Sequence, residues 1–465
     1  MGGVCCKPEE VDFADEVELF HFYLIRVIGK GAFGKVHQVQ HKRTLHEYAL
    51  KCINKSRCVE VRAANNMVAE RRLLERIEYP LVVNLRYAFQ DDDHLFMALD
   101  LMLGGDLRFQ LERLGKLTEM QARFYVAQIS LSLGYLHKRR IAHRDIKPDN
   151  ILLDEHGHAH LSDFNIATQF HDKRPLRWTK AGSLAYMAPE ILDKRGYATS
   201  VDWWSLGVLA YELLFGQRPF KGSTNEELVE AILTEPLKFP NNVHELVSEE
   251  CIDLVTKLLD RTPFERIGCG QGGFEQFKQH PWFSQIDWHK LETKEATPPF
   301  TPSKNESNFD AVHELEELLL DGEPLRARKR ASKSTLVAEI DQESEAARAR
   351  QLLDDKFLPY DCTKQESWGQ YGGGYSRHHD EASSTSSTPV SATTAAAEMN
   401  TGRELGESNN NEIRLLRRIG GALNEHLDNA KYRGQGYMPA PSIVDDLDDC
   451  DPITLVAGKG LDKSA

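Results

Sequence analysis

The chain has no uninterrupted apolar run of about 18 residues, the length a membrane-spanning helix needs. Its richest stretch, 203–215, is broken by Ser205, Gly207 and Glu212. The opening Met1-Gly2-Gly3-Val4-Cys5-Cys6 lacks the apolar core of a secretory signal. Cysteine is scarce, with 8 in 465 residues and no Cys-x-x-Cys pair. That argues against a disulfide scaffold and a zinc site and fits a reducing, cytoplasmic setting. Positive charge is in deficit: Lys+Arg number 57 against Asp+Glu 71, a net −14. No general nucleic-acid binding is expected of so acidic a chain.

The 41% hydrophobic content is enough for a sizeable core. A length prior of about 150 residues per domain allows about three domains, or one two-lobed unit with tails. Between 22 and 283 apolar residues recur at strand and helix spacings. Residues 294–304 are rich in Pro and Thr, 314–321 are acidic, and Arg326-Ala-Arg-Lys-Arg330 is a basic knot. Beyond it Ser, Thr, Ala and Gly dominate, so 331–465 is expected to be mostly disordered, with one short helix at 411–427.

Segments 23–28, 36–40 and 48–53 read as strands around a glycine-rich turn. Segment 61–77 has helical spacing without Gly or Pro. Thr118-Glu-Met-Gln121 is a capping-box pattern opening a helix to about 138, and Thr224-Asn-Glu-Glu227 opens another. The pattern is a small β-rich lobe followed by a larger α-rich one.

Three clusters carry chemistry. Ile28 precedes Gly29-Lys30-Gly31-Ala32-Phe33-Gly34-Lys35-Val36, which is Gly-x-Gly-x-x-Gly-x-Val between two strands. Glycines let a backbone approach phosphates and offer amide donors. A dinucleotide-binding turn uses the same glycines but opens a helix, and a plain Gly-rich hairpin is the other alternative. Next, Ala49-Leu50-Lys51 lies on a strand, and Glu70 on the following helix is the carboxylate able to fix Lys51. Third, His143-Arg144-Asp145-Ile146-Lys147-Pro148-Asp149-Asn150 is followed by Asp163-Phe164-Asn165. Asn150 and Asp163 supply oxygens of the kind Mg²⁺ takes. Asp145 is then left to orient a hydroxyl, and Lys147 to neutralise a transferring phosphoryl group.

In this order the motifs resemble a eukaryotic protein kinase. Met187-Ala-Pro-Glu190 is similar to the end of an activation segment, and Asp202-Trp-Trp-Ser-Leu-Gly207 to the buried helix behind the catalytic loop. Arg266 fits the late arginine that pairs with Glu190. Asp145-Ile-Lys147-Pro-Asp-Asn150 is of the serine/threonine type. Thr179-Lys-Ala-Gly-Ser183, Leu103-Gly-Gly-Asp-Leu107 and Pro298-Pro-Phe-Thr-Pro302 with Asn308-Phe-Asp310 resemble the AGC group. The run 100–108, the stretch 150–158, Asp163-Phe-Asn-Ile-Ala167 and 309–325 resemble its YANK branch.

The resemblance implies an α+β, two-lobed kinase fold at 21–283, with an N-lobe at about 21–99 and a C-lobe at about 103–283. An AGC-like tail would span 284–330, and 1–20 would be a separate N-terminal segment. It implies ATP and Mg²⁺, protein substrates and a monomer. Leu99 would be the gatekeeper, Asp100 to Met102 the hinge, and Leu152 a further ATP-binding residue. Asp106, Asp149 and Glu212 would receive basic substrate side chains, and Ser183 would contact the catalytic loop. Thr179 would be the activation-loop phosphosite, modified by an upstream kinase or by the chain itself. The rival reading is an ATP-binding scaffold without turnover.

Three departures carry expectations. Asn165 replaces the usual Gly, so the flip of Phe164 is expected to be harder. No Phe-x-x-Phe motif follows Phe309, and Phe357-Leu-Pro-Tyr360 does not fit it, so docking of such a motif on the small lobe is not expected. Gly2 with Cys5 and Cys6 resembles an acylation signal although Cys6 stands where Ser or Thr is usual, which would add membrane contact to a cytoplasmic protein.

Overall fold

The computed structural model describes residues 16–31, 33–171, 174–269, 272–302 and 344–364. Gly2, Cys5, Cys6, Ala32, the segments 308–310 and 314–321, the basic knot at 326–330 and the expected helix at 411–427 lie outside them.

β-branched and aromatic residues build the first lobe. Strands β1 (Phe22–Gly31), β2 (Gly34–His41), β3 (Glu47–Asn54), β4 (Leu85–Gln90) and β5 (His94–Asp100) form an antiparallel sheet. One face buries Phe22, Val39, Leu50, Tyr87, Phe89 and Phe96. Phe22 stacks on Phe89 with centroids 5.8 Å apart, and Phe89 on Phe96 at 4.8 Å.

Between β3 and β4 the helix expected at 61–77 is the shorter α2 (Ala64–Leu74), and a further helix that was not expected, α1 (Lys55–Glu60), precedes it. Asn54 caps α1 through its side chain, while Arg62 takes φ 55° and ends the helical run. A left-handed residue closes a helix C-terminus, so Val61, read as the first residue of the expected helix, instead ends the one before it.

The second lobe is helical: α3 (Leu107–Leu114), α4 (Glu119–Lys138), α5 (Pro189–Leu192), α6 (Ser200–Phe215), α7 (Asn225–Thr234), α8 (Val243–Leu246), α9 (Glu249–Leu258), α10 (Gly273–Lys278) and α11 (Trp288–Glu292). Thr118 and Gln121 form the expected capping box of α4, and Thr224 caps α7. α6 is apolar almost all round and buried almost all round, as a central helix should be. Short strands β6 (Ile141–Ala142), β7 (Ile151–Leu153), β8 (Ala159–Leu161) and β9 (Thr168–Gln169) pair as β6–β9 and β7–β8 and carry the loops that face the first lobe. The segment ending at Pro302 runs beside the lobe junction. A Cβ on Gly157 would meet the Phe300 carbonyl oxygen at 1.9 Å, and one on Gly104 the Pro302 ring at 2.7 Å.

Residues 344–364 depart from the disorder expected of 331–465. Helix α12 (Glu345–Lys356) packs on α1 and α2. β10 (Tyr360–Asp361) then adds antiparallel to β4, giving a six-stranded sheet of order β1-β2-β3-β5-β4-β10. Leu353 and Phe357 are fully buried in the main core. Phe357-Leu-Pro-Tyr360 therefore does dock on the small lobe, contrary to the expectation. Each fully buried large apolar side chain contributes roughly 1.5–3 kcal/mol, which offsets the ordering of a short segment that composition counted as too polar to fold.

Candidate active site

The glycine-rich turn joins β1 to β2. Only Gly34 is demanded by local packing, since a Cβ there would lie 2.0 Å from the Cys52 carbonyl oxygen. A Cβ at Gly29 or Gly31 would meet only ordinary contacts, so these two glycines serve access to the backbone and not the hairpin itself. Val36 is the cross-strand neighbour of Lys51, and Ala49 that of Leu99, which brings the expected nucleotide-facing residues of three strands together.

Lys51 Nζ lies 2.9 Å from Glu70 Oε1 and 3.7 Å from Asp163 Oδ1. Glu70 is fully enclosed on α2. Burial raises its carboxyl above the ordinary range, and Lys51 pulls it back. The pair fixes the position of α2 relative to β3.

At the hinge, Asp100 accepts a two-pronged contact from Arg86, at 2.5 and 3.1 Å, and a 2.9 Å bond from Asn84 Nδ2. These leave the Asp100 side chain a structural duty. Met102 is buried, and Leu152 on β7 bridges to Asp106 at the start of α3.

The second lobe assembles the reacting end. Asp202, buried at the start of α6, accepts from the backbone N–H of His143 at 2.9 Å and of Arg144 at 2.8 Å, and contacts His137 Nε2 at 2.8 Å. The loop that follows is thereby held from behind. Asp145 receives Lys147 Nζ at 2.7 Å, the Ser183 hydroxyl at 2.8 Å, the Ser183 N–H at 3.1 Å and Asn150 Nδ2 at 2.8 Å. Burial opposes its ionisation, but Lys147 and Ser183 outweigh burial and hold the carboxyl below the usual carboxylate range. Lys147 also donates to Ser183 Oγ at 3.0 Å; burial works against its charge, but Asp145 keeps its ammonium above the ordinary lysine value. Asp145, Lys147, Ser183 and Asn150 thus form one network, which joins the 143–150 motif to the 179–183 segment.

Asp163 takes φ 61°, and Asn165 does not lie in the left-handed region. The left-handed backbone of this motif therefore lies at Asp163. Phe164 is buried edge-on to His143 at 4.9 Å, leaving the Asp163 carboxylate, 45% exposed, toward Lys51. Asn150 uses its amide NH₂ on Asp145, so its amide oxygen is the atom left for a cation. Two hard oxygen donors fit Mg²⁺, which completes its shell with water and phosphate. Among the described residues no cluster of three His, Cys, Asp or Glu side chains could hold a metal alone.

Thr179 Oγ1 accepts from Arg144 at 3.3 Å, and Tyr197 OH donates to the Thr179 carbonyl at 2.7 Å. Burial lowers the Arg177 guanidinium from its ordinary value, with the charges of Arg144 and Arg174 adding to the effect. Glu190 and Arg266 form the expected buried pair at 2.8 Å.

The carboxylates expected to line the substrate pocket have partners within the chain. Asp106 caps α3, its side chain accepting from Phe109 N–H at 2.8 Å. Glu212 and Asp149 already hold a cation from the chain itself: Arg108 Nη1 lies 3.0 Å from Glu212 and Nε 3.4 Å from Asp149. Arg108 Nη2 also donates to Tyr186 OH at 2.9 Å, and Tyr186 OH donates in turn to Glu212. The three carboxylates are therefore not an open acidic pocket. Sequence reading carried Arg108 only as part of a motif. The signal available was a cation two residues beyond Asp106. Lys55, Asp354 and Tyr197 were also missed, because their partners are distant in sequence.

Residues 22–283 match the family described as Protein kinase domain. The chain is 39% identical over 332 residues to human serine/threonine-protein kinase 32B, covering 70% of this chain and 78% of the relative. It is 40% identical over 327 residues to mouse serine/threonine-protein kinase 32C, covering 69% and 65%. To serine/threonine-protein kinase gad8 of Schizosaccharomyces pombe it is 40% identical over 294 residues, covering 62% and 51%. With the two lobes, the Lys51–Glu70 pair and the Asp145 network in place, the chain belongs to the protein kinase family, as a serine/threonine-protein kinase of the AGC group akin to its YANK branch.

Proposed function

We propose that this kinase transfers the γ-phosphate of ATP to Ser and Thr hydroxyls of proteins in intracellular signalling. The observation that carries the reading is the Asp145 carboxylate, ionised and aimed by Ser183 and Lys147. Mg-ATP, when bound, supplies the phosphoryl group and a cation that spreads its charge. Lys51, fixed by Glu70, would hold phosphate oxygens under the loop at Gly29–Gly34, and Asn150 with Asp163 would hold the cation. Asp145 orients the acceptor hydroxyl and receives its proton as the new bond forms. Lys147 neutralises charge on the transferring group. Catalysis here is positioning and electrostatics, with no covalent intermediate on the protein.

Activation follows from phosphate on Thr179, added by an upstream kinase or by the chain. Arg144, Arg174 and Arg177 gather cationic charge around that hydroxyl, and a phosphate would bring about −1.5 to −2 charges to it. The protein acts as a cytoplasmic monomer. The described cysteines Cys52, Cys58, Cys251, Cys269 and Cys362 are all free thiols, as a reducing compartment favours. Acyl chains on Gly2 and on Cys5 or Cys6 would add membrane attachment, two signals being what stable anchoring needs.

The test is transfer from labelled ATP to a mixed Ser/Thr peptide library, with Asp145→Asn beside the unaltered chain. Transfer that falls by about 10²–10⁴ in the variant, with nucleotide binding retained, supports the reading. Equal transfer by both, or none by either with Mg-ATP bound and Thr179 phosphorylated, contradicts it.

A further inference from the structure

We propose that Arg108 is a built-in occupant of the acidic subsite beside Asp145, and that it sets substrate choice by denying that subsite to a substrate's own arginine. The proposal rests on the kinase reading above.

Position comes first. Asp149 is four residues beyond Asp145, in the short turn whose last residue, Asn150, donates to Asp145. A carboxylate there adjoins the acceptor site. With Glu212 it makes two negative charges where a basic side chain of a bound peptide would dock. Arg108, one residue into α3, reaches both. Its guanidinium offers a fixed fork of donors, and the fork is engaged on three groups: Glu212, Asp149 and the Tyr186 hydroxyl.

Accessibility decides the strength of the effect. The Glu212 side chain is only 7% exposed, and Arg108 and Tyr186 take both its oxygens. Asp149 is 49% exposed and gives its longer contacts on the solvent side. Burial works against the Arg108 charge, but Tyr186, Glu212 and Asp149 together hold it firmly protonated. A substrate arginine would have to displace a charged group already bonded three ways, leaving that group without partners. Arg108 is 27% exposed and would regain some water, but it would lose three partners for the one the substrate gains, so the exchange gains little. Asp106 does not restore the subsite, because its carboxylate is committed to capping α3.

The test uses the full chain and two versions of each peptide. One carries a single Arg placed in turn at each of several positions around a Ser acceptor, and the other carries Gln there. Rates of transfer are read as the Arg-to-Gln ratio for each enzyme preparation, so a change in overall activity cancels. Affinities are read in parallel by calorimetry on the same peptides with Ala in place of Ser, which needs no turnover. The unaltered chain is expected to show less than about threefold preference for Arg at any position. Arg108→Met, which keeps the stem and removes the charge, is expected to gain about tenfold or more in the ratio at one position. Arg108→Gln is the second variant should Met prevent folding. Arg108→Lys should stay close to the unaltered chain.

A ratio that does not move in Arg108→Met or Arg108→Gln, in either rates or affinities, overturns the proposal. So does a strong Arg preference in the unaltered chain. Absence of transfer to every peptide by every preparation would contradict the kinase reading alone, and the affinity ratios would still decide the role of Arg108.

Discussion

Two lysines four residues apart in the chain hold the same lobe from opposite sides. Lys51, on β3, lies 21% exposed in the cleft, 2.9 Å from Glu70 with Asp163 beyond. Lys55, the first residue of α1, is fully buried at the back, 2.6 Å from Asp354 of α12 and 2.6 Å from the Asp91 carbonyl oxygen. The first has a second carboxylate within reach and room for a ligand. The second is closed on protein oxygens. The front pair therefore leaves its lysine open to a ligand, and the back pair is a closed latch. α2 is the part common to both: it supplies Glu70 to the front, and its next residue, Arg71, donates to the Pro359 carbonyl of the tail at 3.3 Å.

The sharpest break of this comparison is at the front. Lys51→Met should lower kcat/KM by about 10²–10³, because the ammonium acts on developing phosphate charge, and should also lower the melting temperature, because Glu70 is left buried without its partner. The check is steady-state transfer beside a thermal melt. A variant that melts lower but transfers phosphate at the unaltered rate would make Lys51 a structural lysine.

At the back, Phe357→Ala should cost about 3–5 kcal/mol of docking energy for residues 344–364, the ordinary range for a buried phenylalanine. The expected result is release of the segment, read as rapid proteolysis between α12 and β10, ahead of global unfolding.

The latch itself should show a smaller effect. Asp354→Ala leaves Lys55 buried against fewer acceptors and should destabilise by about 1–3 kcal/mol, reduced because Asp354 is 32% exposed. Lys55→Met with Asp354→Leu should recover most of that loss, within about 1 kcal/mol. A double variant as weak as the single one would show that the pair contributes more than desolvation takes away.

The mildest test concerns Asp106. Burial, with the charge of Asp149 adding to it, pushes its carboxyl from 3.8 to about 6, although the helix cap pulls the other way. A raised folded value means the fold favours the protonated form. Stability tied to this group is thus present below about pH 4 and lost as pH rises to about 6. Asp106→Asn keeps the cap and removes the slope, so the melting temperature between pH 4 and 6 should flatten relative to the unaltered chain. An unchanged slope would place the titration elsewhere.

The front of the molecule was legible in the sequence for a physical reason. Phosphate binding needs glycine at fixed places, and the reacting carboxylate, its lysine and its amide lie within six residues of one another, so local spacing exposed them. The strands beside them followed from β-branched alternation, and the start of α4 from Thr118 and Gln121. The back was not legible. Lys55 and Asp354 are separated by nearly the whole folded chain, and nothing local marks either one as a partner. The composition of 331–465 is polar on average, and an average hides a single amphipathic turn with Leu353 and Phe357. Arg108 was visible only as part of a motif, and nothing in the local sequence says that its guanidinium lies between Asp149 and Glu212. Arg62 separates α1 from α2 at the point where the expected helix was begun, and its left-handed backbone carries no mark in the apolar spacing.

The account turns on α2 being held by the cleft and the tail together. Hydrogen exchange of the α2 amides in the full chain and in Phe357→Ala, with phosphate transfer measured on the same preparations, tests this most directly. The account predicts that α2 protection in the variant falls by about tenfold or more and that transfer falls with it. Lost protection with undiminished transfer would contradict it, as would lost transfer with α2 still protected.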